Sequence, residues 1–142
     1  MSRFLLLACL TTLTFAEIPK SVMAEHDLEK RSELALKVAD DQITEASKAY
    51  TSNNESKAFQ GHLDSVAELT SLSLKSLQDS GKRASKSPKY FKRAELKLRG
   101  LLRRLDTLER DVLADDREPV AKVKNLVSET HEQILHEIMS KR

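Results

Sequence analysis

Apolar residues recur at steps of three and four along four stretches of the chain, and the breaks between them are short. The first stretch, about 27–50, carries Leu28, Ala35, Leu36, Ala39, Ile43, Ala46 and Tyr50. Thr51-Ser52-Asn53-Asn54 interrupts it, and Ser52 with Glu55 fits a capping box that opens the second helix. That helix, about 54–80, sets Phe59, Leu63, Val66, Leu69, Ser73 and Leu77 on one side, with Gly81 placed to end it. Ser87-Pro88 opens the third, about 88–114, with Ser as N-cap and Pro at the first helical position. Phe91, Leu98, Leu105 and Val112 are spaced by seven, with Ala94, Leu101 and Leu108 between them. That is an a/d heptad over roughly three repeats, able to pair within the chain or across a dimer. The fourth, about 118–140, has Pro119 in its first turn and a stripe of Val120, Val123, Val127, Thr130, Ile134 and Ile138.

Four helices with short connections predict an all-α, up-down-up-down four-helix bundle with antiparallel neighbours. The alternative is two helical hairpins stacked like a short solenoid. Ala46, Tyr50, Asn53 and Ala58 match one tetratricopeptide hairpin in part, but a solenoid needs about three repeats. Composition agrees with helices: 142 residues hold only three Gly, three Pro and 4% aromatics. A turn-rich β-sandwich needs a breaker every ~8–12 residues.

Residues 1–24 read as a secretory signal and not as part of the fold. Arg3 supplies the positive start, and Phe4 to Ala16 is an uncharged run, too short for the ~20 residues that span a bilayer. Leu6-Leu7-Ala8-Cys9 partly matches a lipoprotein signal but lies too near the start to leave a full apolar run before it. Val22-Met23-Ala24 offers a cleavage site beyond Pro19, and Thr14-Phe15-Ala16 offers a second. Cleavage is expected after Ala24, leaving 25–142 as one helical domain, periplasmic or secreted. Cys9, the one cysteine, falls in the signal, so the remaining domain has no thiol and no disulfide.

The chemistry on offer is thin. His131 and His136 are five apart, about 140° around a helix, whereas the zinc-protease pattern needs four. No Glu-x-x-His pair suits a di-metal bundle, no Cys-x-x-Cys-His binds haem, and Gly61, Gly81 and Gly100 are solitary. No Gly-x-Ser-x-Gly elbow is present. Neither an enzyme nor a bound cofactor or metal is expected.

Charge changes the picture. The formal net charge is +2, but residues 25–81 hold 11 acids against 6 bases, and residues 82–142 hold 10 acids against 16 bases. Between Lys82 and Arg104 stand ten bases and one acid, Glu95. On a helical wheel Lys92, Arg99, Arg103 and Arg110 lie within about 20° of one line, opposite the heptad. Arg93, Lys97 and Arg104 form an adjacent strip. This face can meet anionic lipid headgroups, lipopolysaccharide phosphates or an acidic protein. A simpler arrangement leaves it solvated, or neutralised in part by Glu29, Glu33, Asp40 and Asp41 of the first helix. Nucleic acid is disfavoured, because Phe59 and Phe91 are taken by core stripes and no stacking platform is left.

The stretch Ser87-Pro88-Lys89-Tyr90-Phe91-Lys92-Arg93-Ala94-Glu95, with Leu98-Arg99, Leu101 to Asp106, Asp115-Asp116-Arg117 and His131 to Met139, resembles a set of small bacterial exported α-helical proteins. The resemblance covers about 87–139 well and the first two helices loosely. It implies a bacterial source, export and an all-helical fold, and carries no activity or site residue. The sequence therefore points to an exported, non-catalytic interaction module binding an envelope protein or itself. The alternative is attachment to an anionic envelope surface through the basic third helix.

Overall fold

The computed structural model describes residues 18–53 and 56–140. They are 87% helical, with no strand among them, and the helices pack together as an all-α bundle. The charged n-region and apolar run expected of a signal lie outside the described residues. A short α1, Lys20–Ala24, leads into α2, Leu28–Asn53, followed by α3, Ser56–Asp79, α4, Pro88–Asp111, and α5, Arg117–Met139. A single 3-10 turn, Ala114–Asp116, links α4 to α5.

Side-chain pairs give the directions. Ser32 meets Ser73 and Gln42 meets His62, so α2 and α3 are antiparallel. Glu109 meets Lys124 and Glu95 meets His131, so α4 and α5 are antiparallel too. Glu33 meets Arg93 and Asp40 meets Arg104, which makes α2 and α4 parallel. The order around the bundle is α2, α3, α5, α4, with α3 and α4 barely touching across a diagonal. The chain does alternate in direction, but it does so as two antiparallel hairpins set side by side.

The expectation that every neighbour is antiparallel therefore fails between the hairpins. The eight-residue connection from Asp79 to Pro88 explains this. Extended, it reaches at most ~26–29 Å, enough to cross the end of a bundle. Gly81, at φ 70°, turns the chain out of α3, and its N–H donates to the Gln78 carbonyl at 3.1 Å. That left-handed conformation suits a residue without a Cβ.

Local chemistry shifts several helix ends. Thr51 and Ser52 donate their hydroxyls to carbonyls one turn back, at Ser47 and Lys48, inside the last turn of α2. Ser52 is thus part of α2 and not the N-cap expected for the next helix. Asp27 caps α2, accepting from the Glu29 and Lys30 amides at 3.0 and 3.2 Å. Ser87 stands at the N-cap of α4 with Pro88 at N1, yet its hydroxyl turns across to Glu29 at 3.2 Å. The α4 helix stops at Asp111, where the Val112 backbone becomes extended.

The core follows the sequence stripes. Ala35, Leu36, Ala39, Ile43 and Ala46 of α2 are buried with Phe59, Leu63, Val66, Leu69 and Leu77 of α3. All seven heptad residues from Phe91 to Val112 are buried, as are Val120, Val123, Val127 and Ile134 of α5. Val22 of α1 joins the same cluster with 0% exposure. Arg31 holds this leading segment to α2 by donating to the carbonyls of Glu25 at 2.9 Å and Met23 at 3.2 Å.

Candidate interaction surface

Among the described residues, half-buried Lys124 of α5 pairs with Glu109 and Asp106 of α4, and three further clusters also tie α4 or its leading loop to another helix. Glu29, 4% exposed, accepts from Lys82 and from the Ser87 hydroxyl. Its carboxylate raises the pKa of Lys82, first through the hydrogen bond and then through charge attraction. Arg104 donates to the carbonyl and carboxylate of Asp40, both at 2.7 Å, and to the Thr44 hydroxyl at 2.6 Å. Glu95, 7% exposed, accepts from His131 at 2.9 Å and from the Arg99 guanidinium. The His131 hydrogen bond, aided by Arg99, holds the Glu95 carboxyl below the usual carboxylate range against the opposing effect of burial.

These clusters divide the seven residues of the basic face. Arg93 and Arg104 lean toward α2, where they pair with Glu33 and Asp40. Arg99 pairs with Glu95 on its own helix, and Arg110 pairs with Asp106 at 3.6 Å. Lys92, Lys97 and Arg103 are exposed and have no ion pair with any described residue. Of the four acids named for neutralisation on the first helix, Glu33 and Asp40 meet Arg93 and Arg104 of the adjacent strip, Glu29 turns to Lys82 and Ser87, and Asp41 stays exposed, so part of the central line is left to solvent.

Two features near this face were not singled out by charge reasoning. Leu96 is 60% exposed, one turn after Lys92 and two before Arg103, so an apolar side chain sits among the cations. Its off-heptad position on the wheel was the available signal. Lys89 and Arg93 also flank the Tyr90 ring, at 5.3 and 5.7 Å from its centroid. Arg83, Lys86 and Lys89 extend the exposed basic surface onto the α3–α4 connection and the first turn of α4.

The histidines are scattered. His26 and His136 are exposed, His62 shares a 2.7 Å hydrogen bond with Gln42, and His131 serves Glu95. Among the described residues no three His, Cys, Asp or Glu side chains gather as metal ligands. No described helix is long and apolar enough to cross a membrane. Comparison with protein-family models, curated proteins and solved structures returns no match.

Proposed function

We propose that this chain is an exported interaction module of the cell envelope, without catalysis of its own, that binds an acidic protein partner through the outer face of α4. The observation that carries this reading is the set Lys92, Lys97 and Arg103. These cations stand exposed and unpaired around Leu96 while Arg93, Arg99, Arg104 and Arg110 are matched with acids. An exposed apolar residue ringed by cations suits an interface with an apolar contact at its centre and a charged rim. Export is supported by the sequence of the first 24 residues and by the resemblance to exported helical proteins.

The test is crosslinking in intact cells with tagged protein. A defined partner rich in Asp and Glu is expected with the native chain and lost with Lys92→Glu/Arg103→Glu. Equal recovery with the charge-reversed variant overturns the surface assignment. A second reading, attachment to anionic headgroups or lipopolysaccharide, is favoured by the continuation of this surface through Arg83, Lys86 and Lys89 at one end of the bundle. Binding to anionic vesicles that weakens with salt and with the same substitutions would select it.

A further inference from the structure

We infer that the exported form begins at Glu17, so that residues 18–24 remain on the bundle as a packed strap. This rests on the export reading above and replaces the expected cleavage after Ala24. The strap is built into the fold. Val22 is fully buried within the core cluster, and Ile18 packs against that cluster. Ile18 also lines a shallow groove with Ala67, Glu68 and Ser71 of α3 and Leu126 of α5. The Pro19 carbonyl accepts from Val22 at 3.0 Å and Met23 at 3.3 Å, fixing the turn that aims Val22 inward. Arg31 then clamps the Met23 and Glu25 carbonyls. Removal of residues 18–24 would strip a buried side chain from the core and leave a void that its neighbours fill only in part.

The sequence provides the alternative site. Thr14-Phe15-Ala16 places small residues at the first and third positions before the bond and directly closes the uncharged run. Ala24 lies eight residues further on, beyond Glu17, Pro19 and Lys20. The reaction is hydrolysis of the Ala16–Glu17 peptide bond by a membrane signal peptidase. Water gives its hydroxyl to the Ala16 carbonyl carbon, the C–N bond breaks, and the remaining proton goes to the Glu17 nitrogen, which becomes the new amino terminus.

The experiment exports the full precursor with a C-terminal tag from a bacterial host, then reads the amino terminus and intact mass. A parallel precursor carries Val22→Ala, which keeps a small residue before Ala24 and so leaves cleavage there unhindered. The expected results are a start at Glu17 and a Val22→Ala product that melts several degrees lower. A start at Glu25, with the two products identical in mass and melting, overturns the inference and leaves export standing. An exported but uncleaved chain does the same. A start at Glu17 with unchanged melting of Val22→Ala overturns the strap. A precursor retained uncleaved in the cytoplasm overturns both the export reading and this one.

Discussion

The two seams between the hairpins run parallel and are held by different means. Along α2/α4 polar side chains cross beside the apolar Ile43 and Leu108: Glu33 with Arg93, and Asp40 and Thr44 with Arg104, while Tyr50 donates to Asp116 of the following 3-10 turn at 2.9 Å. The Tyr50 hydroxyl also accepts from the Leu113 amide at 2.9 Å, fixing the turn out of α4. Along α3/α5 no side-chain hydrogen bond or ion pair crosses among the described residues, and shallow grooves run between the helices. The difference follows from the side chains. The α2 helix buries Ala35, Ala39 and Ala46 beside Leu36 and Ile43, so three of its five buried apolar residues are small and give little shape to fix a register. The α5 helix buries Val120, Val123, Val127 and Ile134, whose branched side chains have few rotamers and so give its inward face a fixed shape. Charge thus sets alignment where shape is weak, and shape sets it where charge is absent.

The largest loss of stability is expected from the apolar seam. Ile134→Ala is expected to cost about 2–5 kcal/mol in urea unfolding, as for other buried aliphatic truncations. Arg104→Ala, on the polar seam, is expected to cost about 1–2 kcal/mol, because Asp40 keeps partial access to water. A larger loss for Arg104→Ala than for Ile134→Ala would reverse the ranking of the two seams.

A smaller effect is expected within the second hairpin, where Glu95 joins α4 to α5. Its folded pKa lies below the unfolded value, so its contribution is fully present above the ordinary carboxylate range. The contribution falls away as pH drops through the lowered value. Thermal melts from neutral pH into acid should therefore decline, and Glu95→Gln should flatten part of that decline. An unchanged acid limb would remove Glu95 as its source. The smallest effect on folding belongs to the outer face: Lys92→Glu/Arg103→Glu should shift stability by no more than about 0.5 kcal/mol per site. Retention of the melting temperature beside lost partner capture would separate binding from stability.

Much of the bundle was legible because its stripes are long and regular. Every heptad position from Phe91 to Val112 is buried, including Val112 beyond the end of its helix. Ser73 and Thr130 were legible as inward positions on their stripes, but the partners of the buried polar residues were not, since they lie far away in sequence. Ser32 is buried by a 2.7 Å bond to Ser73, Glu29 by Lys82 and Ser87, and Glu95 by His131. Periodicity marks the side of a helix that faces inward and says little about which helix waits there. Charge did point to the acidic first helix beside the basic third, and Glu33 and Asp40 meet Arg93 and Arg104 there; the antiparallel rule for neighbours missed that this pair runs parallel, because connection length permits a diagonal crossing without requiring it. At the candidate surface the wheel grouped seven cations on one side of α4. Only the fold separates Arg93 and Arg104, bound to α2, from Lys92, Lys97 and Arg103, exposed to solvent.

The diagonal connection has an electrostatic consequence. It brings the start of α2 and the start of α4 to the same edge of the molecule. Aligned peptide dipoles leave roughly half a positive charge at each helix start, and side-by-side parallel helices do not cancel one another as antiparallel ones do. Lys82 and Lys89 add to the same edge. Glu29 lies in the first turn of α2 and accepts from Ser87, the N-cap of α4. Its carboxylate is an internal counterion shared by two helix beginnings, and it reconciles the parallel pairing with the charge that the pairing concentrates.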